Sequence, residues 1–103
     1  MEVHKTRQFS KWFARIKDGK TRDIIEARIF RITTSGDFGD YKTISNKVSE
    51  LRIDYGPGYR IYFTKLESIV VILLIGGNKG TQDRNIKKAE KLATIKYIEE
   101  NKK

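Results

Sequence analysis

The stretch ELRIDYGPGYRIYF, residues 50–63, decides the reading of the fold. Before the turn, Leu51 and Ile53 alternate with Glu50, Arg52 and Asp54. An apolar/polar period of two is the mark of a strand with one buried face. Gly56-Pro57-Gly58 then reverses the chain, because proline presets its own φ and the flanking glycines admit φ > 0. Tyr59 to Lys65 forms the returning strand, with Ile61 and Phe63 on one face and Arg60, Tyr62 and Thr64 on the other. Arg52 and Arg60 have the same parity about the turn. The spacing therefore predicts that they project together, away from a core face of Leu51, Ile53, Ile61 and Phe63.

Outward from this hairpin the pattern continues in both directions. After a short turn at Leu66-Glu67-Ser68, the run Ile69 to Ile75 is continuously apolar and rich in β-branched residues. It predicts a strand buried on both faces, near the middle of a sheet and ended by Gly76-Gly77. A last helix is expected from near Thr81 to about Glu100, with Ile86, Ala89, Leu92, Ala93 and Tyr97 on one side and Lys87, Lys88, Lys91 and Lys96 on the other. Upstream, the loop SGDFGD at residues 35–40 precedes the hairpin. A helix over about Thr21 to Thr34 carries Ile25, Ile29 and Ile32 on one face, beside Ile24. Before it, Phe9, Trp12, Phe13 and Ile16 recur at helical spacing behind Thr6, a candidate cap, and Asp18-Gly19 breaks that helix. The short connection predicts an antiparallel helix pair. Residues 2–5 alternate weakly, as a short first strand would. This order gives an α+β domain with its helices packed on one face of a small twisted antiparallel sheet: two N-terminal helices, plus a C-terminal helix. A chain of 103 residues without internal repeats reads as a single domain over 1–103.

Charge narrows the function. Lys and Arg number 22 against 13 Asp and Glu, a formal net charge of +9. Such an excess on a small domain attracts polyanions, nucleic acid first among them, then acidic proteins and anionic membranes. The alternative is a basic but inert surface. No cysteine is present, which excludes disulfides, thiol catalysis and Cys-based zinc sites. A single histidine, His4, excludes a catalytic histidine pair and a multi-histidine metal site. No metal and no cofactor is therefore expected. The N-terminus lacks the apolar segment of a secretory signal, and the apolar run is far too short to span a bilayer. The expected location is cytoplasmic, with no membrane partner.

Two like charges on neighbouring strands repel. Arg52 and Arg60 side by side make sense if an anion sits between them; the alternative is that Glu50, Asp54 and Glu67 neutralise them. Lys79, in GGNKG, leaves the apolar strand between glycines that let a ligand approach the backbone, which suits phosphate contact. It reads equally as a solvated turn residue. Lys42, Lys47 and Arg84 extend the basic surface as candidate RNA contacts, or are simply solvated. GGNKG lacks Walker spacing, and no Ser/His/Asp set stands out. An RNA-cleaving activity would then rest on orienting the 2′-hydroxyl and stabilising the pentavalent charge with Arg and Lys. Glu50 and Tyr62 are the nearest candidates for proton transfer.

The runs GDYKTISNKVSELRIDYGPGYRIYF (39–63) and IVVILLIGGNKGTQDRNIKKAEKL (69–92), with Trp12, the helix ending RIFRI (28–32) and the GDFGDYK loop, resemble the HigB-like addiction-module killer proteins, a phage-derived Gp49-like branch of the RelE/ParE superfamily. The resemblance covers nearly the whole chain. It implies two N-terminal helices on a twisted antiparallel sheet with a further C-terminal helix. It also implies a toxin neutralised by a cognate antitoxin, often a small helix-turn-helix protein. RelE- and HigB-type toxins cut mRNA in the ribosome; ParE-type toxins poison DNA gyrase on the same fold, and a non-catalytic RNA-binding protein is a third reading. By resemblance, Arg60 matches the phosphate-stabilising arginine, Arg52 a basic residue of the neighbouring strand, and Lys79 an arginine after the last strand. Glu50 stands where RelE has a second lysine, and Asn85 near the place of its catalytic tyrosine.

Overall fold

The computed structural model describes residues 1–67 and 70–101, with side chains described only as far as Ile95 in the last helix. The Ile69 end of the apolar run, Ser68 of the expected turn, and the Lys96 and Tyr97 side chains lie outside the described residues. The order is β1 (Glu2–Lys5), α1 (Arg7–Ala14), α2 (Gly19–Ser35), β2 (Tyr41–Thr43), β3 (Ser49–Ile53), β4 (Tyr59–Leu66), β5 (Val70–Asn78), a 3₁₀ turn (Lys79–Thr81) and α3 (Gln82–Asn101). The α+β class follows the sequence reading. No helix among the described residues is long and apolar enough to cross a membrane.

Local chemistry fixes the helix ends. The Thr6 hydroxyl accepts from the Phe9 amide at 3.0 Å and donates to the Leu74 carbonyl at 2.6 Å, so one side chain caps α1 and ties it to β5. Asp18, expected as a breaker, is the N-cap of α2: its carboxylate accepts from both the amide and the hydroxyl of Thr21. These bonds hold the Asp18 carboxyl below its ordinary pKa. Arg22 donates to the carbonyls of Phe13 and Ile16, satisfying the end of α1 from α2. Gly36, in the left-handed conformation at φ 70°, ends α2.

The five strands lie in the order β1-β5-β4-β3-β2. The sheet is mixed rather than wholly antiparallel, because β1 runs parallel to β5. The two helices and three strands between them supply the long connection that a parallel pair requires. The hairpin register matches the parity reading: Arg52 pairs with Arg60, and Leu51 with Ile61.

Two corrections concern the faces of the sheet. The helices do not share one face. Phe9 of α1 and Ile25 and Ile32 of α2 pack with Leu51, Ile53, Ile61, Phe63, Val71 and Leu73. Ala89 and Ala93 of α3 pack on the opposite face with Val48, Tyr62, Ile72, Leu74 and Ile75. Small alanines let α3 lie close to a face that is apolar along β5 and carries Glu50, Arg52, Arg60 and Thr64 on β3 and β4. Second, Gly76-Gly77 do not end β5, which continues to Asn78. A Cβ on Gly76 would stand 2.2 Å from the Trp12 ring, and one on Gly77 1.8 Å from the Asn85 amide. These glycines are strand residues that let α1 and α3 approach the backbone closely, a role that looks the same as a turn in sequence.

A bulge sets which glycine faces which helix. The register shifts between Tyr62, opposite Ile75, and Phe63, opposite Leu73. Leu74 is the extra residue, and it joins Ile72 and Ile75 under α3. Beyond it the alternation is reversed, so Gly77 sits opposite Arg60 on the α3 face.

Candidate functional site

The α3 face of β3 and β4 carries a buried charged cluster. Glu50 is 1% exposed, beneath the start of α3. Its carboxylate accepts from the Tyr62 hydroxyl at 2.9 Å, from Gln82 Nε2 at 2.9 Å and from Arg52 Nε at 3.2 Å. Arg60 Nε lies 3.8 Å from the same carboxylate. Arg60 is itself only 8% exposed, and its Nε has no hydrogen-bond partner. Another of its nitrogens donates to the Tyr59 carbonyl at 3.0 Å. The Arg52 side chain remains 37% exposed at the rim.

Strand alternation places these groups. Lys42 pairs with Glu50, Glu50 with Tyr62, and Arg52 with Arg60, so all five side chains belong to one face. Of the three acids that could neutralise the arginines, Glu50 pairs with both; Asp54 and Glu67 pair with neither.

The electrostatics set the protonation states. Burial raises the Glu50 pKa, but the bonds from Gln82, Tyr62 and Arg52 and the charge of Arg60 outweigh it, leaving the carboxyl below its ordinary value. Glu50 is therefore ionised at neutral pH. Tyr62 is pushed far up, first by burial and then by its bond to the Glu50 carboxylate, so it remains a phenol. Glu50 is buried and accepts three hydrogen bonds, and Tyr62 is fully enclosed. Glu50 therefore anchors the arginines, Tyr62 holds Glu50, and both are poorly suited to carry protons to a substrate.

The other candidate residues are distributed around this cluster. Lys79 is exposed at the same end of the sheet, its amide bonded to the Gly58 carbonyl and its stem against Gly58. It bonds to neither arginine. Lys42 is exposed on β2 beside Glu50. Arg84 is exposed in the first turn of α3. Lys47 lies apart, in the loop before β3, lining a hollow with Glu90 and Thr94 of α3. Asn85 is buried, and its amide donates to the Thr81 hydroxyl at 2.7 Å.

Sequence reasoning missed Gln82, the third donor to Glu50. It also missed Lys11 and Arg15, which line a cleft with Arg84 and Lys88. The signal was available: Lys11/Arg15 and Arg84/Lys88 are each four apart on a helix, so each pair shares a face.

No model of a known protein family matches the chain. The chain is 42% identical over 93 residues to an uncharacterized protein of Haemophilus influenzae, spanning 90% of this chain and 93% of that protein. Identity of this extent, over nearly the full length of both proteins, means that the chain belongs to the same family as the Haemophilus influenzae protein.

Proposed function

We propose that this protein is the toxin of a bacterial type II toxin–antitoxin pair, a cytoplasmic, ribosome-dependent mRNA endonuclease that inhibits translation. The observation that carries the reading is the direct opposition of Arg52 and Arg60 across β3 and β4, with one buried carboxylate serving both. Two guanidinium groups on one carboxylate leave a fixed positive charge. The pentavalent phosphorane of RNA cleavage gains negative charge, which preorganised cations stabilise. Holding the 2′-hydroxyl in line with the phosphate supplies the rest. In this reading Arg52 and Arg60 bind the scissile phosphate and Lys79 adds a third cation at the rim. Glu50, held by Tyr62, keeps the arginines in place, and proton transfer falls to water, to the RNA or to the ribosome. The partners are mRNA on the ribosome and a cognate antitoxin, a small helix-turn-helix protein whose acidic residues cover the cations.

One observation favours a second reading, a gyrase-directed toxin on the same scaffold: Glu50, which accepts three hydrogen bonds, and Tyr62 are both buried, which leaves the cluster without an accessible proton carrier. Expression without antitoxin separates the two. The nuclease reading expects growth arrest with truncated translated mRNAs, and restored growth for Arg52→Ala, whose partly exposed side chain can be removed without opening the core. Intact mRNAs accompanied by DNA breaks would instead establish the gyrase reading. Normal growth would overturn both and leave a non-catalytic RNA-binding protein.

A further inference from the structure

A cleft of about 420 Å³ opens between α1 and α3 along the last residues of β5. Lys11 and Arg15 line it from α1, and Arg84 and Lys88 from α3. All four are exposed, and none forms an ion pair with an acid among the described residues. No acidic residue among those described lines the cleft. Its floor is the Gly76-Gly77 backbone, with Trp12 and Asn85 pressed against it. Trp12 is held at its ring by Phe9 and Tyr59, at centroid distances of 5.7 and 6.4 Å, and stays partly exposed. The i, i+4 spacing on each helix is what aligns the cations of each wall.

Two pairs of cations lining one cleft, with no acid among its described lining residues, raise the local positive potential. A fixed, partly exposed indole between them offers a stacking surface. That combination, a cationic groove with an aromatic platform, is how single-stranded nucleic acid is held without regard to sequence. An acidic protein segment would share the charge but would need apolar anchoring pockets, and cations dominate these walls.

We infer that the α1/α3 cleft binds single-stranded polynucleotide, with Lys11, Arg15, Arg84 and Lys88 on phosphates and Trp12 against a base. The site is distinct from the Arg52/Arg60 pair and holds whether or not that pair cuts RNA. Thr81 and Arg84 also line the adjoining hollow that contains Gln82, the donor to Glu50, so a strand in the cleft runs toward the charged cluster.

The chain's single tryptophan is Trp12, so its fluorescence reports on the cleft alone. The test titrates the full-length protein with a fluorescently labelled single-stranded RNA dodecamer, following dye anisotropy and Trp12 emission over a salt series. The expected result is tight binding with quenched Trp12. The Lys11→Ala/Arg15→Ala variant should bind more than tenfold more weakly. Its slope of log affinity against log salt should fall by about 1.4, at about 0.7 for each phosphate of a single strand that is no longer neutralised. Lys5→Ala/Lys17→Ala removes the same charge from outside the cleft and should bind within about twofold of the parent if charge location, rather than net charge, decides. Circular dichroism checks that each variant folds. Equal losses in the two variants, or RNA binding without a Trp12 response, would overturn the assignment. So would a poly-glutamate peptide that quenches Trp12 and displaces the RNA at lower concentration, since the cleft would then fit an acidic protein better.

Discussion

The two faces of the sheet are made by alternate residues of the same strands, yet they are held together by different physics. On the α1/α2 face, Leu51, Ile53, Ile61 and Phe63 meet Phe9, Ile25 and Ile32, and the partly buried Arg28 at its margin is bonded to the carbonyls of Arg52, Phe38 and Asp40. Phe38, from the loop after α2, stacks on Phe63 at 5.0 Å with the rings 10° apart. On the α3 face, Glu50, Arg60 and Tyr62 occupy the positions directly beside those apolar residues, with Gln82 closing over them. One face is stabilised by removing apolar surface from water. The other buries charge, which is tolerated only when each charged group finds partners. Hydrophobic contact carries stability; the charged face carries a positive surplus near the surface, at some cost in desolvation.

The largest effects break each face at its centre. Phe63→Ala should cost about 3–5 kcal/mol, as buried Phe truncations do. Glu50→Ala should cost a similar amount, about 3–5 kcal/mol, because it leaves Arg60 buried and uncompensated. The difference lies in rescue. The combined change Glu50→Leu, Arg60→Met and Tyr62→Phe removes the buried polar members, leaves the partly exposed Arg52 and Gln82 to water, and should recover most of the stability in urea unfolding. A triple variant as unstable as Glu50→Ala would mean that packing, not charge, governs the stability of this face.

Smaller effects follow at the two glycines of β5. Gly76→Ala drives a methyl into the Trp12 ring and should cost about 1–3 kcal/mol, the range for overpacking. Gly77→Ala meets the Asn85 amide nitrogen at 1.8 Å and the Thr81 hydroxyl at 2.7 Å, two groups hydrogen-bonded to each other, and should cost a similar amount. Thermal unfolding of the pair compares them directly.

A pH series sharpens the contrast further. The Glu50 carboxyl has its pKa lowered on folding, so its contribution is complete above the ordinary value of 4.5 and is lost as pH falls through the lowered value. Glu50→Gln should therefore be less stable than the parent at neutral pH, and the gap should close as pH drops below 4.5. A constant gap would show that Glu50 acts through shape rather than charge. The smallest effect is Arg52→Ala. Its ion pair lies at the partly exposed rim, where such pairs contribute about 0–1 kcal/mol.

Much of this was legible in the sequence. The Gly-Pro-Gly turn and the period-two alternation fixed the hairpin, and the observed pairing of Arg52 with Arg60 is the one they imply. The apolar run into β5 announced a strand covered on both sides, and the structure buries it so. The placement of α3 was harder to read, although that run was a hint that something must cover the second face. Glu50, Arg52, Arg60, Tyr62 and Thr64 spell a solvent-facing surface by residue type, and nothing local says that a helix with Ala89 and Ala93 will lie across it.

The sequence by itself determined the elements, the order of the strand runs and the facing of the hairpin, because turn chemistry and side-chain periodicity act over a few neighbouring residues. Tertiary structure alone decided three things: the burial of the charged cluster, the bulge at Leu74 that turns Gly77 toward Arg60, and the meeting of Lys11 and Arg15 with Arg84 and Lys88 across one cleft. Each depends on groups far apart in the chain, and the free energy of such contacts depends on packing geometry that no local pattern carries.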